Sequence, residues 1–167
     1  MRKPALTKSM QIGIVGRNLD AAIRKCEDDH GIGPWATHPF KRCEVKAWRE
    51  HGRPAQPSTS FATAMIGKVR WEPIQPLGEN RITARFLPEK GEGIHHIAIA
   101  APNHDELLSA GARRGNDLVL DCEMCGRFEG IKGAYLGTQR DPGVLLEVFN
   151  GLPGGRPKPN NGGAVPG

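Results

Sequence analysis

A chain of 167 residues with 38% apolar and 25% charged side chains has the composition of a soluble globular protein, with room for one domain or two small modules sharing a core. No apolar run is long enough for a membrane-spanning helix, and the basic segment Met1 to Ser9 lacks the apolar stretch of a secretory signal. Part of the net charge of +5 lies in Lys41 to Arg53 and in the C-terminal tail without forming a stripe or a known motif, which argues against nucleic acid and for acidic small molecules as partners.

In chain order, residues 1–9 form an N-terminal extension. Met10 to Gly16 alternates well enough for a strand and is bounded by glycine. Asn18 stands where a helix cap belongs, and Leu19, Ile23 and Cys26 recur at helical spacing before His30 and Gly31 end the run. Gly31 to Trp35 is a loop. Lys41 to Arg49 sets charged residues against Cys43, Val45 and Ala47, as a half-exposed strand does. Arg53 to Pro57 is a loop. Ser60 to Ile66 and Lys68 to Gln75 are predicted strands turning at Gly67, with Pro73 arguing for an edge or a bulge. Residues 79–92 connect to the second half, with a helix over Asn80 to Lys90. There Ile94 to Ala100 is a strand, and Asn103 caps a helix to about Arg114. Three strands follow: Asp117 to Met124, Ile131 to Gly137 and Gly143 to Phe149, with Asp141-Pro142-Gly143 as a turn. Residues 151–167 hold four Pro and six Gly and too little apolar surface to offset their ordering entropy, so this tail is expected to be mobile.

The two halves echo each other. At an offset of 85, Gln11 falls on His96, Ile12 on Ile97, Ile14 on Ile99, Asn18 on Asn103 and Asp20 on Asp105. At an offset of 75, Trp71-Glu72-Pro73-Ile74 falls on Leu146-Glu147-Val148-Phe149. The chain therefore reads as two β-α-β-β-β modules, residues 10–78 and 93–150. Each puts a polar residue of ligand type in its first strand and a glutamate in its last.

That order, with Gln11-Ile-Gly-Ile, Glu72-Pro-Ile-Gln-Pro-Leu, His95-His96-Ile-Ala and Gly143-Val-Leu-Leu-Glu147, resembles the vicinal oxygen chelate superfamily of glyoxalase I, methylmalonyl-CoA epimerase, extradiol dioxygenases and fosfomycin or bleomycin resistance proteins. Gly31-Ile-Gly-Pro-Trp, Gln75-Pro-Leu and Gly91-Glu-Gly-Ile-His-His are most similar to the epimerase-like branch. The resemblance implies an α+β fold of curved mixed sheets around a cleft. It also implies one divalent metal ion (Zn, Ni, Co, Mn or Fe) held by Gln11, Glu72, His96 and Glu147. The first ligand position, often His, holds Gln, which makes the set similar to that of eukaryotic glyoxalase I. Two departures stand out: Ser60 to Met65 carries no carboxylate where the epimerases have a second acid-base group, and no segment matches the glutathione-binding segments of glyoxalase I.

The donor set suits this chemistry. Two carboxylates, an amide oxygen and an imidazole balance a divalent charge with hard to borderline donors. Four protein ligands leave open positions for a substrate with vicinal oxygens, whose proton next to the carbonyl a loosened Glu147 or Glu72 would take. A glutamate inside Val-Leu-Leu-Glu-Val-Phe is costly unless paired or metal-bound. Arg70, two residues before Glu72, shares its face and suits a substrate carboxylate or phosphate. Trp35, Phe61, Met65 and Phe149 are candidates to line the cleft. His95, by strand alternation, is expected on the opposite face from His96 in a structural role. The expected activity is that of a metal-dependent isomerase or lyase moving a proton next to a carbonyl on a small oxygenated substrate. The rivals are an Fe(II) ring-cleaving dioxygenase and a non-catalytic small-molecule-binding protein of the resistance type. Cys122 and Cys125 form a single C-x-x-C without a second pair, which reads as reduced thiols and a cytoplasmic location. The halves are expected to assemble within one chain or across a homodimer.

Overall fold

The computed structural model describes residues 8–39, 45–78, 82–140 and 143–151. Ten strands and three helices follow in the order β1 (Lys8–Val15), α1 (Leu19–His30), β2 (Ala36–Pro39), β3 (Val45–Glu50), β4 (Arg53–Pro54), β5 (Thr59–Ile66), β6 (Val69–Pro76), α2 (Thr83–Lys90), β7 (Gly93–Ala100), α3 (His104–Ala112), β8 (Leu118–Met124), β9 (Lys132–Leu136) and β10 (Leu145–Phe149). All ten strands join one mixed sheet in the order β2-β5-β6-β1-β7-β10-β9-β8-β3-β4, which is not closed into a barrel.

The two echoing strands meet at the middle of this sheet. β1 and β7 pair antiparallel, β6 lies parallel to β1, and β10 lies parallel to β7. Gln11 faces Ala98 and Gly13 faces His96. Under the repeat, Ala98 is the counterpart of Gly13 and His96 of Gln11, so the pairing is self-complementary, as across a twofold axis. The same holds one strand out, where Glu72 pairs with Gly13 and Glu147 with Ala98.

Helices α1 and α3 cover one face of the sheet, while Phe86 of α2 meets His95 on the other. Asn18 Oδ1 accepts the N–H of Ala21 and Gln75 Oε1 accepts that of Leu19, so two of the orphan donors at the start of α1 are satisfied. Gly31 closes the helix in the left-handed conformation, φ 63°. Leu107 and Leu108 of α3 pack on Ala101, Ala134 and Val148. On the other face, Leu120, Cys122, Tyr135 and Leu145 form an apolar cluster against which Trp48 and Ile82 pack.

Two features depart from the expected layout. The segment read as the second strand of the first module is instead β3, and it pairs with β8 at the far side of the second module. The second-strand position beside β5 is taken by the short β2. Six residue steps, at most about 20 Å of extended chain, separate Pro39 from Val45, so the two margins of the sheet must approach each other. Pro73 lies in an interior strand, not at an edge. The β5–β6 pairing is recorded at Phe61↔Ile74 and at Ala64↔Trp71 but not between them, which accommodates the missing N–H. Asn103 precedes α3 without a side-chain capping bond. The predicted elements that fall on residues 1–7, 40–44, 79–81, 141–142 and 152–167 lie outside the described residues, and Lys8 and Ser9 of the expected N-terminal extension belong to β1.

Candidate metal centre

Four neighbouring strands, β6, β1, β7 and β10, each contribute one side chain to a single cluster on the face away from α3. Gln11 Nε2 donates to Glu72 Oε2 at 2.7 Å. His96 Nε2 lies 3.5 Å from Glu72 Oε2 and 3.1 Å from Glu147 Oε2. His96 is fully buried, and Gln11 and Glu147 are nearly so. The structure thus brings together residues 11, 72, 96 and 147, which are spread over 137 positions of sequence.

Gly13 makes room for the imidazole. A Cβ at this position would stand 2.0 to 2.4 Å from three atoms of the His96 ring. His95 holds the imidazole from behind. It is the extra residue of a β-bulge, since Gly13 pairs with His96 and Ile14 with Ile94. The bulge breaks the alternation on which the expected outward placement of His95 rested. Its Nδ1 instead lies 3.1 Å from Nδ1 of His96, and its ring meets Phe86 and Tyr135 edge-on. Burial, helped by the charge on His96, pulls His95 down to about 3, so it stays neutral. A neutral His95 accepts the Nδ1 proton of His96 and leaves His96 Nε2 as the ligand atom, in the way a second partner fixes a metal-binding histidine.

The electrostatics call for a cation. Burial alone would lower the pKa of His96, but the charges of Glu147 and Glu72 override it and push it up to about 10. Burial raises Glu72, opposed by His96 and Arg70 and reinforced by Glu147. Tyr135, facing Glu147 in register and lying against the His96 ring, is held well above its ordinary range by burial and then by Glu147 and Glu72. The two carboxylates share the His96 proton and the nearby charge of Arg70, and a divalent ion, which takes neutral imidazole, would displace that proton.

The donors fit such an ion. His96 Nε2 and Glu147 Oε2 are buried without a hydrogen-bond partner. Separations of 3.1 and 3.5 Å are those of neighbouring ligands at about 2.1 Å from one ion. Among the described residues, though, no three His, Cys, Asp or Glu side chains stand preformed around a common point. The imidazole closes directly on the carboxylates, and Gln11 turns its Nε2 toward Glu72. Rotating that amide, whose N and O are assigned from hydrogen bonding, presents Oε1 instead.

The family model of the Glyoxalase/Bleomycin resistance protein/Dioxygenase superfamily matches residues 10–135. The chain belongs to that superfamily, the vicinal oxygen chelate proteins. A Bacillus subtilis relative, the uncharacterized protein YqjC, is 32% identical over 89 residues, which is 53% of this chain. That match spans 63% of the relative's own length. A variant of Streptomyces coelicolor methylmalonyl-CoA epimerase, in complex with 2-nitronate-propionyl-CoA, shares the fold with a TM-score of 0.64 at 22% identity, over 87% of this chain and 97% of that one. The methylmalonyl-CoA epimerase of Mycobacterium tuberculosis does so with a TM-score of 0.64 at 18% identity, over 89% and 91%.

Within this vicinal oxygen chelate fold the other predicted residues take varied places. Arg70 pairs in register with Gln11 beside Glu72. Phe61 and Met65 lie on the same face of β5, Phe61 against the His38 ring and Met65 largely exposed at the strand end. The Phe149 ring covers Gly133, where a Cβ would stand 2.8 Å from it. Trp35 precedes β2, and its indole N–H donates to the Ile32 carbonyl within the loop. Cys122 packs beside Gly133 as a buried thiol pushed up to about 12 by burial and then by the charge of Glu147. Gly13 and Tyr135 were not singled out from sequence, and His95 was expected on the opposite face in a structural role. Only Gly13 carried a signal, as an isolated glycine inside a strand marking a close approach.

Proposed function

We propose that this chain is a metal-dependent isomerase that moves a proton at the carbon next to a carbonyl of a small, acidic, oxygenated substrate. The observation that carries this reading is the cluster itself: four donors from four adjacent strands, with His96 Nε2 and Glu147 Oε2 buried and unsatisfied. A bound divalent ion would draw electron density from the substrate's carbonyl oxygen and make the neighbouring C–H more acidic. Gln11, Glu72, His96 and Glu147 hold that ion, and His95 fixes the ring of His96. Glu147 takes the proton once its carboxylate loosens from the ion. Arg70 receives an anionic group of the substrate at the edge of the centre. The fold shared with methylmalonyl-CoA epimerases supports the isomerase reading, within a superfamily whose model also covers dioxygenases and bleomycin resistance proteins.

The test uses metal analysis together with proton NMR in D2O, with methylmalonyl-CoA as the first probe. About one divalent ion per chain and exchange of the α-proton are expected. Glu147→Gln should slow the exchange by about 100-fold or more, the usual scale for losing an acid-base group. No bound metal combined with undiminished exchange in Glu147→Gln would overturn the proposal.

A further inference from the structure

Proton transfer at carbon leaves one question open on this face of the sheet: which group returns a proton from the side away from Glu147. Among the described residues, the titratable side chains here are few. Glu72, His96 and Glu147 belong to the centre. His95 and Tyr135 lie against the His96 ring, and Cys122 packs beside Gly133. Arg70 does not give up its proton in a protein. Glu50, with Trp48 Nε1 against Oε1 and its Oε2 buried without a partner, sits on β3 beyond β8, on the far side of the second module from β6.

That leaves His38 on β2. Its Nε2 lies 3.4 Å from Thr63 Oγ1, and its ring rests on Phe61 with centroids 5.3 Å apart. β5 pairs with β6 at Phe61↔Ile74 and Ala64↔Trp71, so the same register sets Thr63 across from Glu72, at the strand spacing of about 4.8 Å. The order across this face is therefore His38, Thr63, Glu72, then the donors of β1 and β7, then Glu147. A substrate on the centre would have Glu147 on its β10 side and, on the other, the β2–β5 margin that carries His38. Imidazole is the side chain whose ordinary titration falls near neutral pH, which suits it to carry a proton in either direction.

We propose that His38, steadied by Thr63, is the second proton-transfer residue of this site. The inference rests on the isomerase reading above and deepens it. In the step, the Glu147 carboxylate takes the α-proton and the C–H electron pair enters the enolate. The His38 imidazolium then gives its Nε2 proton to the opposite face of the same carbon and is left neutral. Water later removes the proton from Glu147 and returns one to His38, so charge and atoms balance over the cycle.

The test follows single enantiomers of methylmalonyl-CoA in D2O with metal-loaded protein, reading α-deuteration and appearance of the opposite isomer separately. Metal affinity is measured by calorimetry in parallel. His38→Gln should lower inversion by about 100-fold. It should leave deuteration with retention, from the isomer whose proton faces Glu147, and metal affinity both near wild type. Thr63→Val should lower inversion by about 10-fold with KM unchanged, as expected of a residue that only orients the base. Wild-type inversion in His38→Gln would overturn the assignment, as would joint loss of exchange and metal binding. A wild-type protein that binds metal but exchanges no proton would overturn the isomerase reading itself, and this inference with it.

Discussion

The smallest residue at the centre sets its geometry. Gly13 lies between Glu72 on one strand and His96 on the other, and the imidazole occupies the space a side chain at position 13 would fill. The clash falls on a fully buried ring lodged between two carboxylates and His95, so a methyl group cannot be absorbed by a flexible chain end. Gly13→Ala is expected to displace His96, to cost about 1–3 kcal/mol by overpacking, and to weaken Mn2+ or Zn2+ binding by about 10-fold or more. The repeat-related change Ala98→Gly removes one methyl between Gln11 and Glu147 without adding anything against the His96 ring, and should leave affinity within about threefold. Calorimetric titration of both variants checks this. Equal affinity for Gly13→Ala and wild type would show that His96 is not a ligand in this position.

At the scale of elements, the sequence disclosed some features and hid others for physical reasons. Helix α1 was legible because its signals are local: an Asn cap, a stripe at helical spacing and a terminal glycine. Gln11, Glu72, His96 and Glu147 were legible because a duplicated chain shows which polar residues recur at matching places. The destination of β3 was not legible, since strand periodicity tells which face is apolar but not which neighbour completes the ladder. Nor was the inward placement of His95, because a bulge shifts alternation by one residue without a local composition signal. The position of β3 makes its own prediction. Trp48 packs on the cluster of Leu120, Cys122, Tyr135 and Leu145 from a strand that belongs, in sequence, to the other half. Trp48→Ala should therefore cost about 2–4 kcal/mol, read as a fall in denaturant midpoint. It should change metal affinity far less than stability, because Trp48 packs on the apolar cluster and contributes no donor to the centre. A loss below about 0.5 kcal/mol, the range of ordinary surface substitutions, would mean that β3 is not docked on β8 in solution.

For the whole molecule, the cluster joins the two halves across their pseudo-twofold axis. One half supplies Gln11 and Glu72, the other His96 and Glu147, so an ion held by all four is also a link between modules. Its strength follows pH in a way that can be signed. The folded, metal-free protein holds the His96 proton with a pKa pushed up to about 10, against an ordinary value of 6.5. A raised pKa of this kind stabilises the fold fully below about pH 6.5, and that contribution fades as pH rises through about 10. The ion needs neutral imidazole, so its apparent affinity rises over the same interval. Metal-free and metal-loaded protein should therefore diverge in melting temperature as pH increases from 6.5 to 9. At a free ion concentration one hundred times Kd, binding adds about 2.7 kcal/mol, which for a domain of this size is roughly 5–10 °C. Differential scanning calorimetry with Mn2+ or with EDTA at pH 6.5, 7.5 and 9 measures the gap. In Glu147→Gln the cluster loses one of its two carboxylates, so the gap should shrink at every pH and lose most of its slope. A gap that stays constant with pH, or one that survives intact in Glu147→Gln, would mean that any bound ion sits elsewhere and that the buried proton on His96, not a metal, is what ties the two halves together.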